Sequence, residues 1–429
     1  MRKGVILAVE AREILDSRGN PTVEVELKTN QGSFFASVPS GASKGKTEAV
    51  ELRDGGKRYL GKGVKKAIKN IKEILAPKLK GKNVCCQREL DQILIELDGT
   101  PQKSKIGANA ICAVSLATLK AGAFSYGLPL FKYVQKISGE KIKLPRPSFN
   151  VINGGAHAGN ELDFQEFMVC PKGKKFSENL RVATEIYYVL KDKISKKYGK
   201  WATNLGDEGG FAPPIKFPEK AIELILEAAQ KLNYEKKISI ILDVAASQFF
   251  DGKFYRTKMG NFSGEKLAKY YLKLAKSYPI EAIEDPFAEE DFESWKFLMS
   301  SLEPKHLEPK FLSFIIGDDL LVTNPKRIEM AKREGLCNGA IVKVNQIGTV
   351  SEATEAAKLA KSFGWKVVVS HRSGETNDDF LADFAVGLGA DFIKAGAPAR
   401  GERVAKYNRL LRIEEEIKKM SRFHDFMNS

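Results

Sequence analysis

A chain of 429 residues with 43% hydrophobic and 29% charged residues has the composition of an ordinary soluble globular protein, long enough for two or three domains. Its five cysteines (Cys85, Cys86, Cys112, Cys170, Cys337) form no CxxC pair and are odd in number, which favours reduced thiols in the cytoplasm over a disulfide framework. A net charge of +15 attracts polyanions, but no nucleic-acid motif accompanies it, so any such binding is expected to be non-specific and sensitive to salt.

In chain order, residues 5–40 read as a three-stranded meander. In PTVEVELKT the apolar Val23, Val25 and Leu27 alternate with Glu24, Glu26 and Lys28, the pattern of a half-buried strand. Turns fall at Arg18–Pro21 and near Gly32. The loop VPSGASKGK follows, with Gly41 and Gly45 bracketing Ser43, and reads equally as a lid or a plain turn. From Lys62 to Ser138 the pattern is helical. Lys65, Lys66, Lys69 and Lys72 oppose Val64, Ile68, Ile71 and Leu75, which describes a solvated helix face. The apolar VILAV near the N-terminus is too short for a signal-peptide core, and the run Ile106–Leu119 carries Asn109 and Ser115, so no membrane span is expected. Strands followed by helices make residues 1–140 a small α+β domain.

After the stiff Lys143–Pro147 connector, residues 147–429 form a second domain in which strand-like and helical runs alternate: ISIILDV, IEAIED, LSFIIGDD, AIVKVN, KVVVSH and FIKAG, each followed by a helix. Asn324-Pro325 and Thr349–Glu352 supply helix starts. Six βα units in tandem indicate a parallel sheet closed as an eight-stranded barrel, an α/β fold of the (β/α)8 type.

Catalytic groups in such barrels occupy the C-terminal strand ends. Asp243, Glu284, Asp318, Lys343, His371 and Lys394 all fall there, on six consecutive strands. Lys343 lies in the apolar run Gly339–Val344, where it reads either as a snorkelling strand-end lysine or as a functional amine. Carboxylates on three neighbouring strands repel one another, and a divalent cation relieves that repulsion. All-oxygen ligands favour Mg²⁺ or Ca²⁺ over zinc. At an effective dielectric of about 20, like charges about 4 Å apart repel by roughly 4 kcal/mol, an upper bound of about 3 pKa units for a lysine beside a cation. Such a lysine can serve as a base near neutral pH. Upstream, the loop NLGDEGGFAPP carries Asp207 and Glu208, and NGGAHAGNELDFQEF carries His157, Gln165 and Glu166, with FQEFMV as an early barrel strand. Arg372 and Ser373 form an anion grip in SHRSGET.

Along nearly its full length the chain resembles the enolase family, through DSRGNPTVEVE, VPSGAS, NVINGG, QEFM, GDEGGFAP, IEDP, GDDLLVTN, KVNQIGT, SHRSGET and KAGAPARGER. The resemblance implies reversible dehydration of 2-phosphoglycerate to phosphoenolpyruvate in glycolysis and gluconeogenesis. A lysine or histidine base with one or two Mg²⁺ ions is the general scheme of enolase-superfamily sites. Carried onto this chain, Lys343 is the C2 base and Glu208 the general acid. Asp243, Glu284 and Asp318 are ligands of a first Mg²⁺, and a second arrives with substrate beside Ser43. Lys394 meets the substrate carboxylate and Arg372 and Ser373 its phosphate, while His157, Gln165, Glu166 and His371 line the pocket. A homodimer or higher homo-oligomer is implied as well.

Three features depart from the family's usual pattern: Lys44 where threonine is common, the long connection EPKHLEPK (303–310), and the basic balance. A racemase or sugar-acid dehydratase of the same superfamily is disfavoured by Ser43, Glu208, Arg372 and Ser373. Non-catalytic binding of RNA or a surface partner is an alternative only as an added role.

Overall fold

The computed structural model describes residues 4–42, 44–302 and 312–427, with side chains through Met420. The connection 303–310 and Ser43 lie outside the described residues. Strands β1 (Ile6–Leu15), β2 (Pro21–Thr29) and β3 (Gly32–Ser37) form the antiparallel meander that the alternation predicts. Val23, Val25 and Leu27 are all fully buried. Behind them the helix Ala108–Ser125 is built largely of alanine and other small residues, which lets neighbouring elements approach closely. It is the one helix among the described residues long and apolar enough to cross a membrane, and 89% of that stretch is buried inside the protein, as in a core helix.

Strands β4 (Arg146–Asn153), β5 (Glu166–Pro171), β6 (Ile238–Asp243), β9 (Ile280–Glu284), β10 (Phe314–Gly317), β11 (Gly339–Val342), β12 (Lys366–Ser370) and β13 (Phe392–Lys394) close into one barrel. A small hairpin, β7 (Tyr255–Thr257) and β8 (Gly260–Phe262), interrupts the series. The barrel departs from the all-parallel expectation at one strand: β5 runs antiparallel to both β4 and β6. The segment joining β4 to β5 contains only the short turn Gly155–His157, and a parallel return needs a longer crossover. Helix starts follow the sequence signals. Asn324 accepts the Lys326 amide at 3.0 Å, and Thr349 accepts that of Glu352 at 3.2 Å.

The described residues divide into two compact units. One comprises residues through Ile142 with Gly317–Asp378 and Gly387–Gly389; the other comprises Lys143–Ile316, Asp379–Val386 and the residues from Ala390 onward.

Within the second unit the starts of three strands are tied together by Arg146. Its guanidinium donates to both oxygens of Glu281, at 2.8 and 2.6 Å, and to the Ser239 hydroxyl at 2.6 Å. Burial alone would raise the Glu281 pKa; the bonds from Arg146 and Ser239 outweigh it and hold the carboxyl below its ordinary value. Because the folded-state pKa is depressed, this stabilisation is complete above the ordinary carboxylate value and lost as pH falls through the folded one. Glu281→Gln should therefore cost about 1.5 kcal/mol near neutral pH, the loss of a charge-assisted hydrogen bond in a half-buried pair. The deficit should shrink in acid. Urea unfolding at pH 7 and pH 3 checks this, and a deficit equal at both values would refute the assignment.

Candidate active site

The second unit gathers one set of predicted residues around a lysine. Asp243 and Glu284 are the last residues of β6 and β9, and Lys394 is the last of β13. The Lys394 ammonium donates to Asp243 at 2.8 Å and to both oxygens of Glu284 at 2.9 and 2.8 Å, and lies 3.2 Å from Glu166. Burial would push this ammonium's pKa down; the carboxylates of Asp243, Glu166 and Glu284 outweigh it and hold it well above the ordinary lysine value. Close by, His157, Glu166 and Glu208 each place a ligand atom within 4.8 Å of the others, a group that could hold a metal ion. Glu166 Oε2 is buried with no hydrogen-bond partner, which leaves an acceptor to offer.

Gln165 donates to Asp243 at 3.3 Å, and Gln248 donates to Gln165 Oε1 at 2.9 Å, fixing which way the amide faces. The imidazole Nδ1 of His157 lies 3.7 Å from Glu166 and 3.6 Å from Glu208. Burial lowers the His157 pKa against the pull of Glu208, which favours the neutral ring. Burial and then the charge of Glu208 raise Glu166 well above the ordinary carboxylate range. Glu208 itself is held by Asn150 Nδ2 at 3.0 Å.

The first unit gathers the rest. β11 ends at Val342, two residues short of the predicted strand, and Lys343 follows it rather than lying inside it. The cause is Thr323: its hydroxyl accepts the Lys343 amide at 2.9 Å and donates to Gln346 Oε1 at 2.7 Å. The chain then makes one helical turn, Val344–Ile347, and leaves through Gly348 at φ +105°, a conformation that favours glycine. Val322 and Thr323 themselves adopt φ of +43° and +56°. For β-branched residues this costs about 1–3 kcal/mol each, strain of the kind that accumulates at functional sites. The Lys343 ammonium is hydrogen-bonded to Asp318 Oδ2, and Gln346 donates to the other oxygen at 2.8 Å.

His371, Arg372 and Ser373 directly follow β12 and are buried. Arg372 forks onto Glu48 at 2.6 and 3.2 Å. Burial opposes its charge, and Glu48 outweighs burial, so its pKa is raised. Ser373 Oγ accepts the Ala42 amide at 2.7 Å. Lys44 pairs with Glu51 at 2.8 Å. Sequence reasoning singled out neither Asn150, Gln248, Thr323, Gln346 nor Glu48. Asn150, Thr323 and Gln346 do fall inside quoted motifs, while Glu48 and Gln248 carry no local signal.

Fold and side chains together define an α/β barrel protein whose strand ends carry lysines and carboxylates. Comparison narrows this class. The chain matches the family profiles "Enolase, N-terminal domain" over residues 6–134 and "Enolase, C-terminal TIM barrel domain" over residues 141–428. It is 52% identical over 427 residues to the enolase of Mastigamoeba balamuthi and 51% identical over 428 residues to enolase 1 of Entamoeba histolytica, in each case across 96% of both chains. The chain belongs to the enolase family, the phosphopyruvate hydratases, which are carbon–oxygen hydro-lyases.

Proposed function

We propose that this chain interconverts 2-phosphoglycerate and phosphoenolpyruvate with Lys343 and Glu208 dividing the proton work. The observation that carries the reading is the separation of the two groups' supports: Lys343 is set by Thr323 and Asp318, Glu208 by Asn150. Lys343 takes the C2 proton, and Glu208 protonates the 3-hydroxyl so that it leaves as water. Lys394 attracts the substrate carboxylate, Arg372 and Ser373 bind the phosphate, and Gln165, Glu166, His157 and His371 line the pocket. Asp243, Glu284 and Asp318 would hold a Mg²⁺, with a second arriving alongside substrate, and these ions when bound neutralise charge building on the substrate carboxylate. The α+β domain of residues 1–140 acts as the cap of the barrel domain, and the protein works in the cytoplasm as a homodimer or larger homo-oligomer.

The direct test is Mg²⁺-dependent appearance of the phosphoenolpyruvate ultraviolet absorbance from 2-phosphoglycerate; no product with Mg²⁺ saturating would overturn the reading. Asn150→Leu probes the acid alone. Losing one hydrogen bond to a charged group costs about 1.5–3 kcal/mol, so dehydration should slow by at least about tenfold. Exchange of the C2 proton with solvent should be unchanged, and a parallel loss of exchange would show that Asn150 does not act through Glu208.

A further inference from the structure

A cavity in the first unit is lined by none of the catalytic or binding residues named above. It measures about 880 Å³. That volume is in the range of small-molecule sites. One wall is a single stripe of the helix Val350–Ser362: Ser351, Thr354, Glu355, Lys358, Leu359 and Ser362, spaced three and four apart. Cys85, Cys86 and Gln87, where the chain enters the helix Gln87–Asp98, also line it.

Three properties separate this cavity from a chance gap between helices. Gln87 and Thr354 are 4% and 6% exposed, and Gln87 Oε1 and Thr354 Oγ1 are buried without a hydrogen-bond partner among the described residues. Such an oxygen carries a desolvation cost of about 1–3 kcal/mol that an incoming N–H or O–H can recover. Gln87 cannot rotate to satisfy itself, because its amide nitrogen is committed to Asp91 at 3.0 Å and to the Ser115 carbonyl at 3.1 Å. Ile137, Pro325 and Leu359 supply apolar surface. At the edge stands Lys358, exposed and without an ion-pair partner among the described residues, whereas neighbouring Arg88 is paired with Glu355 at 2.8 Å.

The geometry points to a second ligand site here, for a flat, largely apolar small molecule that carries an N–H or O–H donor and one anionic group. The donor meets Gln87 and Thr354, the body lies on Ile137 and Leu359, and the anion faces Lys358. Cys85 and Cys86 are free, half-buried thiols lining the same space, so an occupied site shields them.

The probe 8-anilinonaphthalene-1-sulfonate has this chemistry. The intact protein should bind it saturably, one per chain, with enhanced fluorescence. At about ten times its dissociation constant the dye should slow iodoacetamide alkylation of the peptide holding Cys85 and Cys86 by about tenfold, because only open sites react. Thr354→Val removes one oxygen at constant shape, and Lys358→Glu reverses the surface charge. Each should weaken the dye by about three- to tenfold, with turnover of 2-phosphoglycerate unchanged as the check on folding. Non-saturable binding, alkylation unaffected by saturating dye in the unsubstituted protein, or unaltered affinity in both variants would overturn the assignment.

Discussion

Lys343→Ala should abolish exchange of the C2 proton of 2-phosphoglycerate and lower turnover by about 10³-fold, within the range for loss of a general base. Substrate binding should change far less, because the carboxylate and phosphate contacts are assigned to Lys394, Arg372 and Ser373. The fold should survive: the Lys343 amide bond to Thr323 does not depend on the side chain. Removing the ammonium does leave Asp318 without one of its partners, but Gln346 still donates to it at 2.8 Å.

The informative partner is Glu208→Gln. It keeps the shape of the side chain and can still bond Asn150, but it has no proton to deliver. Exchange at C2 should persist while dehydration falls by about 10²- to 10⁴-fold. Following deuterium loss from C2 by NMR alongside product absorbance separates the two steps. If Glu208→Gln stopped both equally in a folded, metal-binding protein, one residue rather than two would govern the proton chemistry.

How much of this was legible in the sequence follows from the range of each interaction. Asp243, Glu284 and Lys394 are the last residues of their strands, and Asp318, Lys343 and His371 come immediately after theirs. A polar residue that stops an apolar run is a local signal, so all six positions could be read directly. The supports of those groups could not. Glu48 anchors Arg372 from more than three hundred positions earlier, and nothing in the spacing of either segment announces the pair. The misplaced end of β11 has the same origin. Val344 is apolar and β-branched, which locally favours strand, but Thr323 captures the Lys343 amide and turns the chain. The reversed β5 was readable in principle. A connection too short for a crossover helix precedes it, and the regular βα rhythm downstream obscured that cue.

Lys394→Met should have the second large effect, and on stability as well as rate. The ammonium is the shared partner of Asp243, Glu284 and Glu166, all buried. Breaking a buried ionic group by removing one partner costs about 3–5 kcal/mol, since the remaining charges have neither water nor a counterion. The unfolding free energy should drop by that amount in chelator-treated protein. Turnover should fall by about 10³-fold, with a raised KM, as expected for the residue proposed to bind the substrate carboxylate. The sign of the Mg²⁺ effect then discriminates. A ligand that binds only the folded state adds stability, about 2.7 kcal/mol at a hundred times its dissociation constant. In the parent the ammonium already offsets part of the carboxylate charge, whereas in Lys394→Met the cation meets the full excess. Mg²⁺ should therefore stabilise the variant more than the parent in paired urea titrations. Equal stabilisation of both, or no loss of stability in the chelated variant, would mean that the ammonium is not the charge holding these carboxylates together.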